Sequence, residues 1–302
     1  MFLRCLCLFF LSIFALVADI PHSKTLRYNL SVCAIFKNEA KYLKEWIEYH
    51  LLIGVDHFYL YDIGSTDSFM KVLKPYIQKD LITLVYWQDF VGEREEDQAF
   101  IWALGTQIPA YENATQFRAK NETRWMVFLD IDEFLVSPQA SNVSYLLEKY
   151  ADYSGVTLAC DYFDARSKKY AVPRRKLLIE TLELTKAPHK NPQKAVCKTI
   201  FKPAMCSGFL WPPYKFLFKD EHVPVAAAKR ELRINHYTNR NEGYFYASAI
   251  KSQLHVDNRM LSEEQMDELL SLDYEIEDQD RVIYRFIPEL LVRMGYDPTW
   301  GW

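Results

Sequence analysis

Two aspartates that follow an apolar run are the residues of this sequence best placed to do chemistry. Asp130 and Asp132 come directly after the run Trp125 to Leu129. If a strand continued through them, its alternation would put both carboxylates on the same side. Two carboxylates at the end of a buried strand repel each other and are poorly solvated, so a cation is expected between them. Hard oxygen ligands suit Mn²⁺ or Mg²⁺, and few protein ligands leave room for phosphate oxygens. A solvated acidic turn explains the same pattern without a metal.

The segments before these aspartates alternate between strand and helix patterns. Residues 31–36, 57–62 and 81–87 are typical of strands, and the segments between them have helical spacing, the first ending at Gly54. Strands and helices that alternate with short links predict a parallel α/β sheet. Ligands of such sheets bind at the carboxyl ends of strands. Four polar residues fall at those ends: Asn38, Glu39, Asp62 and Asp130.

The second half of the chain is less regular. We predict a helix over 93–118, a helix over 143–150, a strand over 156–163 and a strand-like segment over 231–238. Residues 166–224 are rich in proline and basic residues and are predicted to be irregular, and the tail from 242 is predicted to be mostly helical. No repeat or linker divides the sequence, so residues 30–300 are expected to form one domain.

Composition and the N-terminal segment limit the class of protein and its location. The chain is 50% hydrophobic, which is enough for a large core, and a net charge of −4 argues against a nucleic-acid surface. Arg4 precedes an apolar run, Cys5 to Ala18, that is shorter than a comfortable membrane span and has the layout of a signal peptide. We expect residues 1–18 to direct export and to be cleaved or kept as a membrane anchor, with a cytosolic location as the less favoured alternative.

Four cysteines lie outside the N-terminal run. Cys33 and Cys160 fall in strand-like apolar segments and are predicted to be buried thiols. Cys197 and Cys206 could bridge a hairpin in an oxidising compartment.

A longer run of residues carries a family resemblance. KNEAKYLKEWIEYHLLIGVDHFYLYDIGSTD, followed by DIDEF and INHY, resembles the family 92 glycosyltransferases and their family 2 relatives, which adopt the GT-A fold. The resemblance covers most of residues 31–245. It implies an α/β fold with a central mixed, mostly parallel sheet flanked by helices, and it identifies residues 30–300 as a glycosyltransferase catalytic domain.

The resemblance also implies roles for particular residues. Asn38 and Glu39 would line the nucleobase pocket, and Asp62 with the loop Ser65-Thr66-Asp67 would border the nucleoside. Asp130 and Asp132 would bind the metal that bridges the diphosphate. Gln107 opens a stretch similar to the family's Gln-x-x-Ala-Tyr and is placed with the donor-binding residues, although Ala114 stands where the family usually has a cysteine.

The chemistry of sugar transfer suggests further candidates. A divalent ion stabilises the diphosphate that leaves, and His236 is the best third ligand because neutral imidazole binds Mn²⁺ well. A hydrogen-bonded core histidine is the alternative for His236. An inverting transferase needs a carboxylate base for the acceptor hydroxyl. Asp161 and Asp164 are the candidates, with Glu133 and Asp220 behind them.

The predicted function is transfer of a hexose, galactose by family habit, from a UDP-sugar donor to a glycan acceptor with Mn²⁺ or Mg²⁺. Two alternatives remain open. One is a non-catalytic sugar-binding protein on the same fold, and the other is a metal-dependent phosphoesterase, which normally needs more His and Asp ligands than are found here. The basic residues Lys168, Lys169, Arg174 and Arg175 could contact a diphosphate, or form a solvated loop.

Overall fold

The computed structural model of the chain describes its central residues and a short C-terminal segment. The described residues are 26–90, 101–164, 177–181, 183–184, 196–210, 215–220, 224–228, 231–237 and 281–296. The predicted export segment, the basic residues of 165–176 and most of the predicted helical tail lie outside them. Within the described part of the chain, no helix is long and apolar enough to cross a bilayer.

Twelve strands are present in these residues. They are β1 (Tyr28–Phe36), β2 (His57–Asp62), β3 (Ile82–Tyr86), β4 (Thr123–Phe128), β5 (Glu133–Val136), β6 (Gly155–Asp164), β7 (Glu183–Leu184), β8 (Val196–Phe201), β9 (Cys206–Leu210), β10 (Lys215–Phe218), β11 (Val225–Ala227) and β12 (Arg233–Tyr237).

The helices lie between these strands. They are α1 (Ala40–Leu52), α2 (Phe69–Gln78), α3 (Ile108–Glu112), α4 (Val143–Leu146), α5 (Leu178–Thr181) and α6 (Ile287–Met294). Two π-helical segments, Ala103–Gln107 and Asn113–Ala119, flank α3, and 3₁₀ turns cover Leu147–Tyr150, Pro203–Met205 and Val282–Phe286.

One large sheet organises the fold. Its strand order is β3-β2-β1-β4-β8-β6-β12-β5, with β7 and β11 also paired to β6, and β9 and β10 form a separate hairpin. β1 is parallel to β2 and β4, and β2 is parallel to β3. β8 runs antiparallel to both β4 and β6. The predicted α/β class with a mixed, mostly parallel sheet is confirmed.

Helix α1 forms because its apolar residues recur at helical spacing and pack on the sheet. Leu43, Trp46 and Ile47 are fully buried, and each such side chain stabilises the fold by about 1.5–3 kcal/mol. The helix ends before Gly54, which has a φ of +96°. An added Cβ at Gly54 would lie 2.5 Å from Oδ1 of Asn142, so this tight exit requires glycine.

The same helix anchors strand β5. The indole Nε1 of Trp46 donates to the Glu133 carbonyl at 2.9 Å, and the Tyr49 hydroxyl donates to the Leu135 carbonyl at 3.0 Å. His50 Nε2 accepts the Leu135 N–H at 3.3 Å, and burial lowers the pKa of His50 to about 3, which keeps it neutral. Helix α1 therefore fixes the strand on which Glu133 stands.

Four sequence predictions are wrong: a strand through the two aspartates, an irregular region over 166–224, a thiol at Cys160, and a bridge between Cys197 and Cys206. Strand β4 ends at Phe128 and the next strand starts at Glu133, so Asp130 and Asp132 lie in a turn between two strands and do not share a strand face. The region predicted to be irregular contains β8, which lies in the middle of the sheet. Cys160 is disulfide-bonded and is therefore not the predicted thiol. Cys206 is a buried free thiol, so it does not form the predicted bridge with Cys197. The predicted buried thiol at Cys33 is confirmed.

Candidate active site

The two aspartates occupy a tight turn at the carboxyl end of β4. The Glu133 N–H donates to the Asp130 carbonyl at 3.0 Å, and the Asp130 N–H donates to the Glu133 carboxylate at 2.8 Å. These reciprocal bonds close the turn. The Asp130 side chain is 48% exposed, whereas that of Asp132 is 12% exposed. The turn thus presents one carboxylate to solvent and holds the other inside.

A lysine from β8 lies between two of these carboxylates. Lys198 Nζ is 2.7 Å from Glu133 Oε2 and 3.3 Å from Asp130 Oδ2. Burial opposes the charge of Lys198, but the neighbouring Asp130 and Glu133 carboxylates outweigh it and raise the lysine's pKa. Burial raises the pKa of Glu133, and Lys198 acts in the opposite direction. The ammonium thus forms an ion pair with each of the two carboxylates.

His236 faces the same turn from strand β12. Its Nε2 is 3.5 Å from Asp132 Oδ1, and its Nδ1 is 3.8 Å from Glu133 Oε1. Burial opposes the imidazolium, but the bond to Asp132 and the charges of Asp132, Glu133 and Asp130 raise the pKa of His236 to about 9. We call Asp130, Asp132, Glu133, Lys198 and His236 the carboxylate cluster.

Strand register explains why the cluster forms. His236 pairs with Glu133 on one side and with Tyr162 of β6 on the other. Residues paired in register share a face of the sheet, so Glu133, His236 and Tyr162 form a row. The Tyr162 and His236 rings are 5.4 Å apart. Residues far apart in sequence therefore meet because β5, β12 and β6 are neighbours.

Two members of the cluster suit a divalent cation. Among the described residues, no three His, Cys, Asp or Glu side chains are arranged to hold a metal by themselves. Asp132 and His236, however, place a carboxylate oxygen and an imidazole nitrogen 3.5 Å apart. Mn²⁺ and Mg²⁺ bind well to one or two such ligands when phosphate oxygens and water complete the shell. The donor set therefore fits the expected metal.

A second group of predicted residues meets at the ends of β1 and β2. Asn38, with a φ of +59°, accepts through Oδ1 from Thr66 N at 2.7 Å and from Asp67 N at 3.2 Å. The Asn38 N–H donates to the Ser65 hydroxyl at 2.9 Å, and the Ser65 N–H donates to buried Asp62 at 2.9 Å. We call Asn38 together with residues 65–67 the Asn38 loop. The predicted convergence of Asn38, Asp62, Ser65 and Asp67 is thus present.

This loop is also joined to the start of α1. Asp67 Oδ2 accepts the Ala40 N–H at 2.8 Å, which satisfies one of the unpaired donors at the helix N-terminus. Glu39 occupies the N-cap position, where its side chain makes no capping bond and is half-buried. The loop is held by side chains that could otherwise contact a nucleoside, so its shape is fixed before any ligand binds.

The Asn38 loop and the carboxylate cluster lie on neighbouring strands. β1 pairs with both β2 and β4, and the Leu129 N–H donates to the Cys33 carbonyl at 3.0 Å, just before the aspartate turn. Asn38, Asp62 and Asp130 all follow the carboxyl ends of these strands. This edge is the usual ligand site of an open α/β sheet.

Gln107 ends the π-helical segment Ala103–Gln107 and is half-buried. Four residues later, Tyr111 stacks on Phe128 at the end of β4, with ring centroids 3.9 Å apart. Burial, followed by the charge of Asp130, raises the pKa of Tyr111. The predicted Gln-x-x-Ala-Tyr stretch therefore packs beside the carboxylate cluster through Tyr111.

The two candidate bases lie on β6. Asp161 pairs in register with Asn235, one residue away from the Tyr162 and His236 pair, so it faces the other side of the sheet. Its Oδ2 is 3.2 Å from Arg233 Nε. Asp164 is the last residue of the strand. The structure thus does not bring Asp161 together with His236.

Sequence reasoning missed Lys198. It stands in a segment with no clear strand alternation, inside the region predicted to be irregular, and no motif marks it. Lys198 reaches the carboxylates only because β8 lies antiparallel between β4 and β6 in the sheet. The unbalanced charge of the Asp130, Asp132 and Glu133 run was the one available signal, because it requires a cation from elsewhere in the chain.

Comparison with known proteins places the chain in a family. Residues 28–271 match the family model of glycosyltransferase family 92. A glycosyltransferase family 92 protein of Oryza sativa subsp. japonica is 24% identical over 220 residues, covering 72% of this chain and 34% of that protein. Galactan beta-1,4-galactosyltransferase GALS3 of Arabidopsis thaliana is 27% identical over 190 residues, covering 57% of this chain and 35% of that protein. The chain spans about a third of the length of these curated relatives.

Two solved structures also align with the chain. S. aureus TarS 1-349 in complex with UDP-GlcNAc has a TM-score of 0.39 at 13% identity, covering 87% of this chain and 72% of that one. The galactosyltransferase LgtC, in complex with donor and acceptor sugar analogues, has a TM-score of 0.36 at 10% identity, covering 79% of this chain and 99% of that one. Because the family match extends over most of the 302 residues, the chain belongs to glycosyltransferase family 92.

Proposed function

We propose that the protein transfers a hexose, most directly galactose, from a UDP-sugar to a glycan acceptor in a reaction that requires Mn²⁺ or Mg²⁺. The observation that carries the proposal is the pair of Asp132 and His236, 3.5 Å apart, beside the Asn38 loop at the carboxyl edge of the sheet. Membership of family 92 supports the reaction class. The names of two Arabidopsis thaliana relatives, both galactan beta-1,4-galactosyltransferases, support galactose.

The Asn38 loop would bind the nucleoside. Asn38 fixes the backbone of Thr66 and Asp67, and Asp62 fixes that of Ser65. A loop that is ordered in advance loses little conformational entropy when the nucleotide binds. Glu39 and Gln107 are proposed to complete the donor-binding surface.

The carboxylate cluster would hold the diphosphate end of the donor. Asp132 and His236 would bind the divalent ion, with Asp130 at the exposed side of the turn. A bound divalent ion offsets the negative charge that develops on the leaving diphosphate. The Lys198 ammonium lies beside Asp130 and Glu133 and offsets part of the negative charge of the cluster.

Asp161 and Asp164 remain our candidates for the base that takes the acceptor proton. Such a base must be within hydrogen-bond reach of the acceptor hydroxyl. The Asp161 carboxylate is paired with Arg233, whereas Asp164 ends β6 and precedes residues 165–176. Separate Asp161→Asn and Asp164→Asn variants test the two candidates.

We also propose that the N-terminal segment directs export, with cleavage or retention as an anchor. The disulfide bond at Cys160 supports this, because such bonds persist in oxidising compartments. Mass spectrometry of the mature N-terminus, with fractionation into soluble and membrane pools, tests the proposal. A full-length chain that stays in the cytosol would contradict it.

A donor panel tests the proposed reaction. UDP release would be measured from UDP-galactose, UDP-glucose and UDP-N-acetylglucosamine, with Mn²⁺ or with EDTA, and inorganic phosphate would be measured in parallel. We expect UDP release that depends on Mn²⁺ and is fastest with UDP-galactose. Phosphate release would identify a phosphoesterase instead. Binding of a UDP-sugar without release of either product would identify a sugar-binding protein.

A further inference from the structure

Four Asn-x-Ser/Thr sequons have no part in the proposed reaction. They begin at Asn29, Asn113, Asn121 and Asn142. In an exported chain such a sequon is an acceptor for an N-linked glycan, which is bulky and needs open surface around the asparagine Nδ2. The triplet also occurs by chance, so the sequence alone does not distinguish the four. They differ in what each asparagine side chain contacts in the folded chain.

Two of these asparagines pack through Nδ2. Asn29 is half-buried in β1, and its Nδ2 donates to the Ser144 hydroxyl at 2.7 Å. Asn142 caps α4, since its Oδ1 accepts the Tyr145 N–H at 3.1 Å. The Nδ2 of Asn142 lies so close to Gly54 that an added Cβ there would be 2.7 Å away. A sugar on either nitrogen would have to displace these neighbours.

A third asparagine, Asn113, is held between two elements. It is half-buried in the π-helical segment Asn113–Ala119. Its Oδ1 accepts from the Tyr61 hydroxyl at 2.7 Å and from Arg118 Nε at 2.9 Å. These two bonds hold the amide between β2 and the helical segment, and a bulky group on its nitrogen would compete with that packing.

Asn121 differs from the other three. It is exposed in the turn at 120–122, directly before β4. The turn is closed by the Glu122 N–H, which donates to the Ala119 carbonyl at 3.0 Å. Within the described part of the chain, no group is hydrogen-bonded to the Asn121 side chain. Its Nδ2 can therefore carry a substituent without loss of a contact.

This turn lies at the opposite edge of the sheet from the carboxylate cluster. The Glu122 carbonyl accepts the Tyr28 N–H at 2.9 Å, at the start of β1, whereas Asp130 follows the end of β4. The six residues of β4 separate its two ends by about 17 Å. A glycan on Asn121 would thus leave the donor site open.

We propose that Asn121 is an N-glycosylation site and that the other three sequons stay unmodified in the folded protein. This inference rests on the proposed export of the chain. The co-reactant is a polyprenyl-diphosphate oligosaccharide of the secretory membrane. A bond forms between Asn121 Nδ2 and the anomeric carbon of the oligosaccharide while the bond from that carbon to the diphosphate oxygen breaks. One amide proton is lost, and the lipid diphosphate is the leaving group.

The test uses the full chain, expressed in a eukaryotic secretory host and recovered from the exported pool. Enzymatic release of N-glycans in heavy-oxygen water converts each occupied asparagine into a labelled aspartate. Peptide mass spectrometry then measures the occupancy of all four sequons in one sample. We expect label at Asn121 alone.

Two neighbouring variants provide a matched comparison. Asn121→Gln should lose the glycan and migrate faster in a denaturing gel. Glu122→Gln changes an exposed residue of the same turn but keeps the sequon, so it should keep the glycan. UDP release by both variants should stay within about twofold of wild type, because the turn is remote from the donor site.

The outcomes separate this inference from the other proposals. Unlabelled Asn121 in exported, folded protein would overturn the inference, as would label at Asn29, Asn113 or Asn142 in folded protein. A full-length chain that stays in the cytosol would overturn the proposed export and this inference with it. The proposed transferase reaction is judged separately, from UDP release by the same samples.

Discussion

The protonation of His236 in the metal-free protein should make folding stability depend on pH above neutrality. The surrounding carboxylates raise the pKa of this imidazole from 6.5 to about 9. A group with a raised pKa contributes stability that is fully present below its unfolded pKa and is lost as pH rises through its folded pKa. The shift corresponds to about 3 kcal/mol, since each pKa unit is about 1.4 kcal/mol.

The assay is urea unfolding in EDTA at pH 6.5 and at pH 9.5 for wild type and for His236→Gln. The other titrating groups are the same in both proteins, so the difference between the two pH dependences gives the contribution of His236. We expect the free energy of unfolding of wild type to fall by about 3 kcal/mol more than that of the variant. Equal pH dependence in the two proteins would refute the assigned charge environment of His236.

The same proton competes with a metal ion. A coordinating imidazole must be neutral, so a bound cation has to displace the proton that the carboxylates retain. The affinity for Mn²⁺ in the presence of UDP should therefore rise with pH up to about 9 and level off beyond it. An affinity that already levels off near pH 6.5 would show that the carboxylates do not control this histidine.

Three further predictions concern other parts of the chain. In Asn38→Gly, glycine can adopt the positive φ of this position, but the side-chain bonds that hold the loop are lost. The Kd of UDP measured by calorimetry should therefore rise about tenfold, and an unchanged Kd would exclude a role for the loop. Burial raises the pKa of Glu45 to about 7. The free energy of unfolding of wild type should therefore fall by about 3 kcal/mol more than that of Glu45→Gln as the pH rises from 4.5 to 8. An equal pH dependence of the two proteins in urea unfolding would count against this. Of Asp161→Asn and Asp164→Asn, the one that removes the base should lower kcat about 100-fold or more with UDP binding intact; two variants at wild-type rate would eliminate both candidates.

The first half of the fold could be predicted because its local patterns agree with its packing. The apolar runs of β1 and β2 are buried on both faces, and the helical spacing of α1 matches its buried side. Parallel strands joined by helices also place Asn38 and Asp62 at one edge, which is why the loop around them could be anticipated.

The centre of the site could be predicted only in part. The types of Asp130, Asp132 and His236 suggested a cation, but their geometry depends on a turn and on three strands from distant parts of the chain. The position of Lys198 depends on an antiparallel strand inserted between parallel ones, and no local pattern encodes that pairing. Long-range strand pairing is decided by the whole sheet, so sequence periodicity alone cannot reveal it.

The carboxylate cluster is proposed to hold a cation for sugar transfer. The most direct measurement compares Mn²⁺-dependent UDP release from UDP-galactose by wild type and by Asp132→Asn, with melting temperatures recorded on the same samples. We expect the variant to lose about 100-fold or more in turnover and to remain folded, with a lower melting temperature at neutral pH because the amide no longer stabilises the His236 imidazolium. Equal rates and equal Mn²⁺ dependence in the two proteins would contradict the account.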